Sequence, residues 1–303
     1  AIAAIGGGSS MDCAKGINFL YSCGGRMQDY WGVGKATTDL LPMVAVPTTA
    51  GTGSEAQSFA LISDAESHAK MACGDKRAAF RVAILDPELT LTQPPRVAAL
   101  SGVDAISHAV ETLVTKKRSQ LSMAFSREAW RLLVGGFRRV LQEPDDLTAR
   151  GWVQQGACFA GLAIENSMLG GAHALANPLT ANYGVTHGEA VGMMLPQIVR
   201  HNGQDPGVAL AYAELAEEVS QLDVSPGGAE VSPSGVDGAV AALAEFLGAM
   251  TQQAGLAGRL SQCGVERERL PELAAQAATQ WTGTFNPVEM TADDYLQLYE
   301  NAF

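Results

Sequence analysis

Five histidines stand in a chain of 303 residues, His68, His108, His173, His187 and His201, few enough to weigh singly. Asp104 and His108 are four residues apart in a helical pattern that begins near Ser101. That spacing lets carboxylate and imidazole converge on one cation from one helix face, and it equally suits an ordinary helix-surface hydrogen bond. His173, within Leu169-Gly170-Gly171-Ala172-His173, and His187, within Thr186-His187-Gly188-Glu189, sit among small and apolar residues. Each of these two could be a metal ligand or a buried neutral imidazole bonded to a carbonyl, and spacing leaves both readings open. Glu111 and Glu189 lie close by in sequence and could orient imidazoles or occupy solvated helix positions. His68, in the turn between two strands, and His201, at a helix end before Asn202-Gly203, read as surface residues. A second chemistry is carried by Gly6-Gly7-Gly8-Ser9-Ser10 and by Thr48-Thr49-Ala50-Gly51-Thr52-Gly53-Ser54, whose backbone N–H groups and hydroxyls suit a phosphate. A glycine turn is also a common way to pack a helix onto a sheet, so one such turn alone is weak evidence. Cys13, just after the turn, reads as a small side chain packed against the sheet rather than a reactive thiol.

These residues need elements to position them. Ala1 to Ile5 is a continuous apolar run before the glycine turn, and a helical pattern follows from Met11 to Leu20: strand, turn, helix. Leu41 to Pro47 is a second such strand, ending in the Thr/Gly/Ser loop. Phe59 to Ser63 and Lys70 to Cys73 read as a hairpin, and Val82 to Leu85 as another buried strand closed by Asp86-Pro87. After Pro94-Pro95 the strand signals stop. Helical patterns cover Ser101 to Thr115, Gln120 to Gln142, Leu147 to Glu165, Gly188 to His201 and Val208 to Leu222. Leu222 to Gly238, rich in Gly, Pro and Ser, reads as an exposed loop. The expected fold is thus an α/β N-terminal Rossmann-like domain over residues 1–92, followed by an all-α domain over 93–303. In such a sheet a ligand binds at the carboxyl ends of the strands, where both small-residue loops lie.

Composition bounds the function. With 47% apolar and 17% charged residues the chain can fill two cores. A net charge of −12 repels phosphate backbones, so neither nucleic acid nor an anionic membrane surface is an expected partner. No uninterrupted apolar run approaches the roughly 20 residues that span a bilayer. Five scattered cysteines fit neither a disulfide framework nor a CxxC metal site, and a reducing cytoplasm is the expected setting.

Taken together, these motifs resemble those of the iron-containing (group III) alcohol dehydrogenases. The family's strand and turn is similar to Ala4 through Lys15, its next loop to Pro47 through Glu55, and its metal helix to Gly102 through Glu111. Its closing segment resembles Phe285-Asn286-Pro287 and Tyr295 to Ala302. The resemblance runs over essentially the whole chain, in order. It implies that Asp104, His108, His173 and His187 hold one divalent metal through which they serve catalysis, Fe2+ with Zn2+ as the alternative. It further implies that Gly7, Gly8, Ser9 and Asp12, with Thr48, Thr49, Thr52 and Lys70, line the site of NAD or NADP. The implied activity is reversible hydride transfer between a primary or small alcohol and that cofactor, in a homodimer or larger homo-oligomer. The resemblance also places Ala1 partway through the first domain, so two or three βα units, about 80 to 90 residues, are expected upstream. The residue that discriminates NAD from NADP belongs to that segment.

Two positions depart from the family pattern. Asn177 stands where many members carry a histidine near the nicotinamide, and an amide cannot titrate near neutral pH. Ile164 stands where some members place an aromatic side chain against the substrate. The intact Asp104 argues against the maleylacetate reductase branch, which typically lacks that carboxylate. Two rival readings share these features: a zinc enzyme like glycerol dehydrogenase or dehydroquinate synthase, and a non-catalytic metal-binding assembly subunit. The PTTAGTGSE loop and the HGE segment fit the iron branch better than the first of these.

Overall fold

The computed structural model describes residues 1–64, 70–221 and 235–303. The first part is α/β. Strand β1 (Ile2–Gly6) leads through Gly7 into helix α1 (Gly8–Cys23), and β2 (Gly32–Val33), β3 (Met43–Pro47), β4 (Phe59–Ser63), β5 (Lys70–Gly74) and β6 (Val82–Ala83) follow. The strands form two small sheets. One is parallel throughout, in the order β1-β3-β6, with Ile2 opposite Met43 and Gly6 opposite Pro47. The other has the order β2-β5-β4, and β4 and β5 pair antiparallel from Phe59 opposite Gly74 to Ser63 opposite Lys70, as the hairpin pattern predicts. His68 lies outside the described residues.

Three local expectations change. Helix α1 begins at Gly8 rather than Met11, so Ser9 and Ser10 belong to its first turn and the turn proper is Gly6-Gly7. The expected buried strand at Val82 to Leu85 shrinks to two paired residues at a sheet edge, with Val82 51% exposed. An apolar run of four cannot by itself tell a central strand from an edge one. Cys13 is exposed rather than packed on the sheet.

After Pro94 the regular elements among the described residues are all helices: α2 (Pro95–Val114), α3 (Gln120–Gln142), α4 (Leu147–Ser167), α5 (Gly171–Tyr183), α6 (His187–Asn202), α7 (Pro206–Gln221), α8 (Gly235–Gln253), α9 (Leu270–Ala278) and α10 (Ala292–Ala302). Local signals start several of these. Pro95 opens α2, where its missing N–H costs nothing. Ser119 and Asp146 accept the Ser122 and Ala149 N–H groups at the starts of α3 and α4. Most of the loop expected at Leu222 to Gly238 lies outside the described residues, but its last four residues already form the first turn of α8. Helix α5 was not legible as a helix, because Gly170-Gly171 and Pro178 mask its pattern.

Helix α2 is the central strut. By length and composition it could span a membrane, yet every residue from Gly102 to Val114 is buried inside the helical core. Trp130, Phe137, Tyr212 and Tyr299 are wholly buried in that core. Burying one large apolar side chain contributes about 1.5–3 kcal/mol, which is what holds α2 in a place where polar side chains can be tolerated.

Candidate metal centre and cofactor crevice

Asp104 and His108 face the same way one helical turn apart on α2, and two further helices bring imidazoles to them. His173 lies in the first turn of α5, and His187 opens α6. The docking of α6 is set by Gly188, where a Cβ would lie 2.2 Å from the Leu100 carbonyl oxygen on α2. Only a residue without a side chain lets His187 come this close. The Nε2 atoms of His108, His173 and His187 lie 3.4, 3.7 and 3.8 Å from Asp104 Oδ1. Candidate ligand atoms of Asp104, His108 and His173 are all within 4.8 Å of one another. Asp104, His108 and His173 thus form a tight group, and His187 approaches it at Asp104 Oδ1.

The donors there fit a cation. Asp104 Oδ1 and His173 Nε2 are completely buried without a hydrogen-bond partner, an arrangement that is costly unless an ion satisfies it. Burial alone would raise the Asp104 carboxyl, but the surrounding imidazoles, His108 foremost, outweigh it and hold Asp104 below the usual carboxylate range. Burial pushes His108 down to about 4 and His187 down to about 3, so both are neutral at pH 7 with a lone pair to offer. His173 goes the other way. Burial would lower it too, but the Glu111 carboxylate, aided by Asp104, raises it to about 9. Glu111 is the residue that sequence reasoning left undecided, and here it binds His173 Nδ1 at 2.5 Å and the Ala172 N–H at 2.6 Å. That contact aims Nε2 at Asp104. Glu189, its counterpart in the sequence, touches no imidazole and instead binds Arg96 and the Ala257 N–H. His201 is half-buried rather than a surface residue, and its Nε2 is buried.

The glycine turn and the Thr/Gly/Ser loop abut each other at the carboxyl ends of β1 and β3. A Cβ on Gly7 would lie 3.2 Å from the Thr49 side chain, and one on Gly8 only 2.6 Å from that of Thr52. Thr48 donates its N–H to Gly6 O at 2.9 Å. Asp12 accepts from Ser54 Oγ at 2.6 Å. Lys15, to which the motif alone assigns no role, is wholly buried, and its Nζ donates to Ser54 O, Ser54 Oγ and Phe59 O at 2.7–2.8 Å. Ser9, in the first turn of α1, is exposed beside this crevice, while the Ser10 and Met11 N–H groups donate to Gly7 O.

Crevice and cation cluster adjoin. Gly51 of the loop lies flush on α2, where a Cβ would be 2.7 Å from Ser101 O, one turn before Asp104. Gly53, at φ 61°, meets Gly161 of α4 backbone to backbone. Lys70, at the start of β5, is close enough to His187 that its charge adds to burial in lowering that imidazole. Asn177 lies one turn beyond His173 and donates to Gln280 Oε1 at 3.0 Å. Ile164 is buried in the last turns of α4.

A glycine-turn α/β crevice set against a buried carboxylate and three imidazoles is an arrangement suited to a metal-dependent, dinucleotide-linked oxidoreductase. Comparison with known proteins makes the assignment specific. Residues 1–87 match the iron-containing alcohol dehydrogenase model and residues 98–303 match the C-terminal model of the Fe-containing alcohol dehydrogenase family. The chain belongs to the iron-containing alcohol dehydrogenase family. It is 31% identical to alcohol dehydrogenase 4 of Schizosaccharomyces pombe, over 98% of this chain and 67% of that protein. It is also 31% identical to the NAD-dependent methanol dehydrogenase of Bacillus methanolicus, over 100% of this chain and 77% of the relative. A crystal structure of a 1,3-propanediol oxidoreductase superposes with a TM-score of 0.91 at 29% identity, covering 100% of this chain and 77% of that one.

Proposed function

We propose that this chain oxidises a primary or other small alcohol with NAD and reduces the corresponding aldehyde or ketone in reverse. The observation that carries the reading is the convergence of Asp104, His108, His173 and His187, with unpaired buried donor atoms, beside a glycine-turn crevice. In this reading those four residues hold one divalent metal, and residues 93–303 are the metal-binding domain. Residues 1–92 belong to the cofactor domain, where Gly7, Gly8, Ser9, Asp12, Thr48, Thr49, Thr52 and Lys70 receive the nicotinamide cofactor. The bound metal supplies Lewis acidity, easing deprotonation of an alcohol and polarising a carbonyl in reverse. Three imidazoles and a carboxylate accept Fe2+ or Zn2+, and Zn2+ binds such donors more tightly, so the choice of Fe2+ follows the family rather than the donor set.

The chain's own groups do the rest. Glu111 holds the His173 proton on Nδ1, so that Nε2 is the nitrogen turned toward the cation site. The first turn of α1 and the hydroxyls of the facing loop favour the cofactor's phosphates. Asn177 cannot exchange a proton near neutrality, so the substrate's proton leaves by water or another group. Ile164 shapes the pocket in this reading. The partners are a small alcohol or aldehyde and further copies of the chain. The odd number and wide scatter of the five cysteines favour a reducing cytoplasm as the setting.

The test is oxidation of ethanol, propanediol and longer alcohols with NAD and NADP in turn, by protein loaded with Fe2+ or Zn2+. Turnover of a short alcohol with NAD is expected, with His187→Ala losing bound metal and activity together. A metal-replete, fully active His187→Ala would defeat the ligand assignment. Absence of turnover with any alcohol despite bound metal and cofactor would favour the assembly-subunit reading.

A further inference from the structure

Asn202 and Asn286 are outside the ligand set, yet both are 1% exposed and their amides pair reciprocally. Asn202 Nδ2 donates to Asn286 Oδ1 at 3.0 Å, and Asn286 Nδ2 donates to Asn202 Oδ1 at 2.7 Å. Asn286 Oδ1 also accepts the Gly171 N–H at 3.1 Å, and its Nδ2 donates to Val288 O at 2.8 Å. Every bonding direction of that amide is used. No other side chain of this size offers two donors and two acceptors in one plane.

The groups joined in this way are the ends of the two histidine-bearing helices. Gly171 is the first residue of α5, two before His173, and Asn202 is the last residue of α6, which His187 opens. The helices are pressed together at this point, since a Cβ on Gly171 would lie 2.6 Å from Ile198 Cδ1 of α6. The chain reaches α5 through Met168 at φ 73°, the single non-glycine residue with positive φ among the described residues. Such a conformation costs on the order of 1–3 kcal/mol and persists only where the surroundings impose it. Glu111 holds the His173 ring and the Ala172 N–H of α5 from the side of α2, and Asn286 adds the bond from Gly171 that ties the same turn to α6.

We propose that Asn286 is a positioning residue for the metal centre. By tying Gly171 at the start of α5 to Asn202 at the far end of α6 from His187, it fixes how α5 lies along α6 and so where His173 stands relative to His187. The inference rests on the reading of those histidines as ligands, and its test separates the two.

The protein is loaded with Co2+ and its visible d–d bands, Co2+ affinity, NAD affinity and helical content are measured for wild type, Asn286→Leu, Asn286→Asp and Asn202→Ala. Asn286→Leu removes all the bonds at similar volume. Asn286→Asp keeps the acceptor for Gly171 but cannot donate to Asn202, and Asn202→Ala keeps the bonds of Asn286 to Gly171 and Val288 while cutting the tie to α6. Expected are shifted Co2+ bands in all three variants and, in Asn286→Leu, a Co2+ affinity weaker by about tenfold or more with NAD affinity kept within about twofold. Asn286→Asp falls between Leu and wild type. Unchanged bands and Co2+ affinity in a folded Asn286→Leu overturn the proposal. Should Asn286→Leu not fold, wild-type bands in both Asn286→Asp and Asn202→Ala overturn it, and shifted bands in either sustain it. Wild type that takes up no Co2+ refutes the ligand reading itself, whatever the variants do.

Discussion

The most informative residue of the centre is Glu111, a buried carboxylate that binds no cation in the proposed arrangement. Its two oxygens take the His173 Nδ1 proton and the Ala172 N–H, so ring tautomer and helix start are set by one side chain. Glu111→Gln keeps an acceptor for one of these but must turn its amide NH2 group toward the other donor, the ring N–H or the Ala172 N–H. Metal affinity should fall about 10–100-fold while the far-ultraviolet spectrum stays unchanged, measurable by competition with a chelator. Unaltered affinity would mean that Asp104 alone suffices to orient His173. The proton held on His173 also has a direction. Its pKa is raised to about 9, so at neutral pH the ring carries a second proton, on Nε2, which an arriving cation must displace, and binding should tighten as pH rises toward that value.

Among the elements, α1 and the Thr48–Ser54 loop form a unit bolted by Lys15. Its ammonium is fully buried and lowered by that burial, with Asp12 the nearest counter-charge at 3.5 Å. Lys15→Met would leave Ser54 O, Ser54 Oγ and Phe59 O without their donor. The expected cost is about 3–5 kcal/mol of stability, the range seen when one member of a buried polar set is removed. Cofactor affinity should weaken with it and metal content should not, because no ligand helix touches Lys15. Thermal unfolding with metal analysis of the folded fraction checks this, and a variant as stable as wild type would show that water replaces the ammonium. Helix α2 makes the complementary point: its apolar face buries Asp104, His108 and Glu111 together, so the helix that looks most suited to lipid carries the chain's polar chemistry.

At the scale of the molecule, the joint between the α/β and helical parts decides whether the crevice and the cation cluster face one another. Gly53 and Gly161 touch backbone to backbone, and Glu165 of α4 accepts from Ser58 N and Oγ at 2.9 and 2.7 Å. Gly161→Ala would place a methyl group 2.4 Å from Gly53 O, so the loop must shift. Such overpacking costs about 1–3 kcal/mol, and the displaced loop should weaken NAD binding while bound metal is retained. Titration calorimetry with NAD on the metal-loaded variant reads this directly. Loss of metal before loss of NAD affinity would place the strain in α4 rather than in the loop.

Much of this was already carried by residue order. Apolar runs, glycine and proline placement, and helical periodicity determine the strand–turn–helix start, the hairpin and five of the helices, because these depend on neighbours a few residues away. The motif resemblance named the four converging residues. What spacing could not do was choose between ligands and buried structural histidines, since 65 residues separate His108 from His173 and only packing brings them together. Tertiary structure also decided the roles of Glu111, Lys15 and Asn286. Each acts across a long stretch of chain on a backbone group or ring whose position no local pattern encodes. A buried polar side chain takes its meaning from the partners that desolvation forces upon it, and those partners exist only once the helices have packed.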